Sequence, residues 1–125
     1  MSYKLIWQNG GVYWKYTGNV SGQEIIEATT VIYGDSRFDN LKYKLVDFID
    51  IERLDVDKKE VALLAFQHQS AATYKENIKN ALVIRPELSE LAHKFVEFSN
   101  ESHWPIKVFD NMDDANVWLG RNPAS

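Results

Sequence analysis

Hydrophobic and polar positions alternate with a period of two over residues 3–8 and 12–17, and the Asn9-Gly10-Gly11 step between them supplies the positive φ angles of a tight hairpin turn. On the second strand Val12, Trp14 and Tyr16 share one face, which is predicted to be the buried one. Gly18-Asn19 closes the hairpin, and the pattern changes to a helical period. Over Val20-Ser21-Gly22-Gln23-Glu24-Ile25 a capping box, Ser21 with Glu24, coincides with a hydrophobic staple, Val20 with Ile25. The helix continues through Ile25, Ala28, Thr29 and Ile32, and Gly34 is predicted to let the chain leave it in a left-handed conformation. Residues 35–40 read as a loop anchored by an inward Phe38.

Residues 43–50 are rich in β-branched and aromatic side chains, Tyr43, Leu45, Val46, Phe48 and Ile49, and predict a central buried strand around which the rest is organised. The acidic turn Asp55-Val56-Asp57 follows. Asp57 caps the next helix, Glu60 answers it, and Val56 can staple to Val61. That helix, 58–74, places Val61, Leu64, Ala65, His68 and Ala72 on one face, small enough to approach a sheet closely. Leu63, Phe66 and Tyr74 form a second apolar edge that packs either on another helix of the same domain or on a partner subunit, and on this edge a homodimer is expected. Residues 79–84 are a near-continuous apolar run suited to a sheet covered on both faces. Pro86 opens a helix through Leu88, Leu91, Ala92 and Phe95, with Glu90 and Lys94 as an exposed pair. After a return loop, 100–105, residues 106–109 form a last strand, Asp110 caps a helix bearing Ala115, Trp118 and Leu119, and Gly120 stops it. The predicted order ββαβαβαβα is an α/β fold: a mixed five-stranded sheet, an N-terminal hairpin then right-handed parallel crossovers, with about four helices. A single domain is expected over 1–120, with 121–125 a frayed tail.

Four short stretches carry a resemblance: the helix start over 18–24, the passage over 38–47 into the central strand, the strand 79–84, and Val108-Phe109-Asp110 followed by Ala115 and Trp118-Leu119. In this order and spacing the chain resembles, over nearly its whole length, the SpoIIAA-like family of small bacterial proteins, related in fold to STAS domains and linked by name to the SEC14 lipid-binding group. The resemblance implies a STAS-like sheet with helices packed on it and a regulatory or interaction role without enzymatic activity. In true anti-sigma-factor antagonists a phosphorylatable serine lies in an Asp-Ser-Ser-Gly-type turn after the central strand. Here that place reads Leu54-Asp55-Val56-Asp57-Lys58, with no hydroxyl residue, so serine phosphorylation at that turn is excluded. Asp55 or Asp57 could mimic a phosphoserine, yet capping already accounts for Asp57.

Composition narrows the function classes. A formal net charge of −4 argues against a general affinity for nucleic acid or an anionic membrane. No cysteine is present, which removes thiol catalysis, disulfides and cysteine-ligated metals and fits a cytoplasmic location. The N-terminus lacks a signal-peptide core, and no apolar run approaches the roughly 20 residues of a membrane span.

No residue cluster forces a particular chemistry. Asp47, Asp50, Asp55 and Asp57 gather near one strand end, but their spacing matches no calcium loop and reads as solvated turns plus one cap. Asp47, inside the strand, must find donors if buried. His68 on an apolar stripe reads as a hydrogen-bonded core residue, and His93 and His103 have no partner at zinc spacing; neither metal nor cofactor is expected. Trp7, Trp14, Tyr16, Trp104 and Trp118 are the aromatics to consider for a pocket or interface, with aromatic core packing the favoured reading. The candidate binding surface lies at the carboxyl ends of the parallel strands: Asp50, Asp55, Asp57, Arg85, Asp110 and Asn111. Its expected occupant is a protein or small ligand. Two rivals stand beside it: a carrier for an apolar small molecule, needing an enclosed aromatic-lined pocket, and an enzyme using Asp47 or His68.

Overall fold

The Asn9-Gly10 turn joins β1 (Tyr3–Gln8) to β2 (Gly11–Tyr16), paired antiparallel with Tyr3 opposite Tyr16 and Gly10 at φ 80°. The structure, a computed structural model, describes residues 3–74, 77–98 and 104–121, with only the backbone of Tyr74 and Phe98. The chain continues through β3 (Gly18–Ser21), α1 (Gly22–Gly34), β4 (Tyr43–Asp47), β5 (Ile51–Asp55), α2 (Lys58–Tyr74), β6 (Lys79–Val83), α3 (Ser89–Phe98), β7 (Ile106–Phe109) and α4 (Met112–Leu119). The main sheet has five strands in the order β1-β2-β4-β6-β7, parallel from β2 onward. The predicted mixed sheet with four helices is therefore present, and β4 is its central strand.

Alternation along the strands sorts the side chains into two layers. Val12, Trp14 and Tyr16 face the larger core under α1, α2 and α3, together with Val46 and Phe48. Leu45, Ala81 and Val83 face the opposite side, covered by Ala115, Trp118 and Leu119 of α4. Gly11 is needed where it stands, because the Tyr43 ring lies against its Cα and any Cβ there would overlap that ring.

Both predicted helix starts form. Ser21 accepts the Glu24 N–H at 3.2 Å, and Asp57 and Glu60 exchange reciprocal bonds of 2.8 and 3.0 Å. Asp47, 2% exposed, does find donors: the Tyr13 hydroxyl at 2.6 Å and the Ile49 N–H at 3.0 Å, with Lys15 Nζ at 3.6 Å.

Several expectations need correction. Residues 18–21 do more than close the hairpin, and residues 51–55, where no strand is expected, extend up to the acidic turn as one; they pair as β3 and β5 in a separate parallel two-stranded ladder. The central strand stops at Asp47 rather than Asp50, because the Asp47 carboxylate accepts the Ile49 N–H and turns the chain. Gly34 is the last helical residue and not left-handed; the chain leaves through extended Asp35, whose N–H returns to Ile32. Residues 36–40 form a 3-10 turn over buried Phe38, and Pro86–Leu88 form another before α3. Asn111, not Asp110, caps α4, accepting the Asp114 N–H at 2.8 Å, while Asp110 accepts from the Asn111 amide. Gly120 does end α4 in the left-handed region, φ 66°. His103, most of the return loop, residues 122–125 and the Tyr74 side chain lie outside what is described.

Candidate functional site

Lys44 sits mid-strand in β4, between Val12 of β2 and Asn80 of β6 in register. The two-residue period that turns Val46 toward α1–α3 also turns Lys44 inward, so the side chain is 6% exposed in an apolar core. Its Nζ donates to Tyr33 Oη at 2.7 Å and lies 4.8 and 5.3 Å from the Tyr33 and Trp104 ring centroids. These cation–π contacts and one neutral acceptor are its support. Among the described residues no ion pair reaches Lys44. Burial accordingly lowers the Lys44 pKa from 10.5 to about 7.

His68, on the apolar face of α2 as the helical period predicts, is 2% exposed, and its Nε2 has no hydrogen-bond partner. Burial first, and the Lys44 charge second, push its pKa down to about 3, so the imidazole is neutral at physiological pH. Its ring meets Trp104 edge-on at 5.0 Å, so His68 and Lys44 flank the same indole.

Lys44, His68, Tyr33 and Asn80 open onto a cavity of about 110 Å³ between the sheet and α1–α3, and none of the described residues lining it carries a carboxylate. The floor, with Trp14, Thr29 and Val46, is buried; the walls become half-buried at Leu54, Leu64, Leu88 and Phe95. A buried cation and an unpaired imidazole converging on an apolar space form the kind of site that takes a small molecule by shape and a few polar contacts.

Asp50, Arg85, Asp110 and Asn111 follow the carboxyl ends of parallel β4, β6 and β7, whereas Asp55 and Asp57 end and follow β5 of the separate ladder, and most of the six already have structural partners. Asp50 bonds Lys15 at 2.6 Å, Asp57 caps α2, and Arg85 donates to the Ile51 carbonyl at 2.7 Å and pairs with Glu87. Asp55 ends β5 opposite Ser21, and Asp110 and Asn111 bond each other. An open cleft of about 400 Å³ lies beside them, bordered by Pro86, Ser89, Asp110 and Asp114. Of the second apolar edge, Leu63 and Phe66 are 45% and 64% exposed. Among the five aromatics singled out, Trp14 lines the cavity, Trp104 backs it, and Tyr16 stacks on Phe48 in the core. Trp7 and Trp118 lie under the surface cations Arg37 and Lys79. Among the described residues no group of acidic or histidine side chains is placed to hold a metal ion, and no helix is long and apolar enough to cross a membrane.

Sequence reasoning missed Lys44. The signal was present, since alternation from Val46 and Phe48 puts residue 44 on the same inward face of a strand predicted to be central.

Two solved structures share this architecture. One is an uncharacterized protein of the DUF3478 family with a SpoIIAA-like fold from Shewanella loihica PV-4, at TM-score 0.57 and 18% identity, covering 94% of this chain and 91% of that one. The other is the anti-sigma factor antagonist SpoIIAA in its unphosphorylated form, at TM-score 0.57 and 11% identity, covering 92% and 94%. No family model and no curated protein matches the chain. The shared topology makes this a SpoIIAA-like fold.

Proposed function

We propose that this chain, built on the SpoIIAA-like fold, is a non-enzymatic regulatory domain whose input is a small, largely apolar molecule taken into the cavity between the sheet and α1–α3. The observation that carries the reading is the convergence of buried Lys44 and unpaired His68 on that apolar space. A buried charge without a counter-ion and an unpartnered imidazole nitrogen are destabilising in a core, and a cavity that keeps both has a use for them. A switch serine has no counterpart in Leu54–Lys58, so ligand occupancy replaces phosphorylation as the controlling event. A catalytic role for Asp47 fits poorly, because its carboxylate bonds Tyr13 and Ile49 on the other face of the sheet.

Titrating the isotope-labelled protein with benzene should shift the amide resonances of Leu64, His68 and Ala92 while leaving Lys4 and Ile6 unmoved. No movement around the cavity at millimolar benzene would overturn the reading.

Exposed Leu63 and Phe66 favour pairing of two copies through α2, since Phe66 in water forfeits burial worth about 2 kcal/mol. Light scattering should give a dimer mass that Phe66→Glu reduces to a monomer; a monomeric parent protein would dismiss the pairing.

A further inference from the structure

Lys44 and the cavity together say more about the ligand than its apolarity. An ammonium in an apolar enclosure without a counter-ion is the least favourable arrangement of a charge, and the favourable ones supply either an anion or deprotonation. Among the described residues the groups facing it offer no anion. From α1 come Thr29 and Tyr33, from α2 His68, from β6 Asn80, and from α3 only apolar side chains such as Leu91 and Ala92. The Tyr33 hydroxyl accepts from Lys44 and keeps its own proton, because burial raises its pKa, so it has a donor to give. The Asn80 Nδ2 is already taken, donating to the Ile78 carbonyl at 2.9 Å. The polar end of the cavity thus presents donors from Lys44 and Tyr33.

We infer that the ligand is a short-chain carboxylic acid bound as its anion, with the carboxylate on the Lys44 ammonium and the Tyr33 hydroxyl and the alkyl end toward Leu64 and Phe95. This rests on the cavity being a ligand site, as proposed above. Two acceptor oxygens match two donors, and the charge pair forms where little water competes. The volume of about 110 Å³ limits the chain: an engineered apolar cavity of about 150 Å³ takes the six carbons of benzene, so an alkyl part of about four carbons fits, as in pentanoate. His68, neutral and with Nε2 unpaired, borders the same space and gives the ligand a further polar neighbour without a competing charge.

The test compares pentanoate with its neutral isostere pentanamide by calorimetry at pH 6.5, on the full chain. Pentanoate should bind at least about tenfold more tightly, as a charge-assisted pair requires. The preference should vanish in Lys44→Met and shrink several-fold in Tyr33→Phe. Pentanoate affinity should also fall as pH rises above about 7, where the free protein gives up the Lys44 proton, while pentanamide affinity stays level. Equal affinities for acid and amide in the parent protein, or a preference that survives Lys44→Met, would overturn the carboxylate inference and leave the cavity reading standing. If pentanoate, pentanamide and benzene all fail to bind, both fall together.

Discussion

Replacing Lys44 with methionine is expected to make the protein more stable, by roughly 2–4 kcal/mol near neutral pH. Methionine fills the same volume with apolar atoms and removes an amine whose pKa burial lowers from 10.5 to about 7. At roughly 1.4 kcal/mol per pH unit that interval corresponds to a penalty on the order of 5 kcal/mol for the protonated form, part of which the loss of the bond to Tyr33 offsets. The sign fixes a pH signature. Between the folded and unfolded pKa values the unfolded chain holds the extra proton, so stability of the parent protein rises from about pH 7 toward pH 10; below pH 7 both states are protonated and the penalty is complete. His68 gives a second rise at lower pH, between about 3 and 6.5, because its folded pKa is also depressed. Urea denaturation from pH 6 to 10 should therefore show an upward slope in the parent that is absent from Lys44→Met. A variant that is less stable at pH 7, or that keeps the slope, would mean that Lys44 is not a buried, uncompensated amine. A stabilising substitution of this kind is expected where a residue is held for function rather than for folding.

Trp104→Ala is expected to destabilise by about 3–5 kcal/mol, the range for removing a large buried aromatic. The indole is 2% exposed and meets Tyr33, Phe38 and His68 at 6.1, 6.2 and 5.0 Å between ring centroids, besides lying under the Lys44 ammonium. Its loss opens a void beside the existing cavity and strips the cation of one of its two aromatic faces. Trp7→Ala, at a half-buried ring covered by Arg37 at 4.3 Å, should cost distinctly less. The urea midpoints of the two variants against the parent decide the matter, provided the denaturant slope stays constant. Equal losses would show that Trp104 does not centre the core around the cavity.

What could be read ahead of the structure was whatever the chain encodes within a few residues. The starts of α1 and α2 each carry a capping box, whose two partners are three positions apart. The hairpin turn and the apolar face of α2 are equally local. Strands β3 and β5 escaped because they are short and polar, and because each exists only through a partner some thirty positions away; Glu52 and Arg53 are exposed and give no sheet pattern. The site divides in the same way. His68 was placed correctly on its stripe, but its nearness to Lys44 and Trp104 depends on how α2, β4 and the chain before β7 meet. Charge at residue 44 drew attention away from the alternation, which already pointed that side chain inward. The acidic strand-end residues were conspicuous in the sequence for a reason the structure explains: caps and turns concentrate carboxylates where helices begin.

The β3–β5 ladder has a mechanical consequence. It ends with Ser21 opposite Asp55, one residue before α1 and three before α2, and the Glu60 carboxylate rests against Gly22 at the first turn of α1. The two helix starts are thereby clamped side by side, and α1 cannot swing outward without carrying the first turn of α2. Among the described residues the far side of the cavity has no such clamp. There Leu64 of α2, Leu88 of the Pro86–Leu88 turn and Phe95 of α3 are half-buried, so the ladder fixes one wall of the cavity while the opposite wall meets solvent.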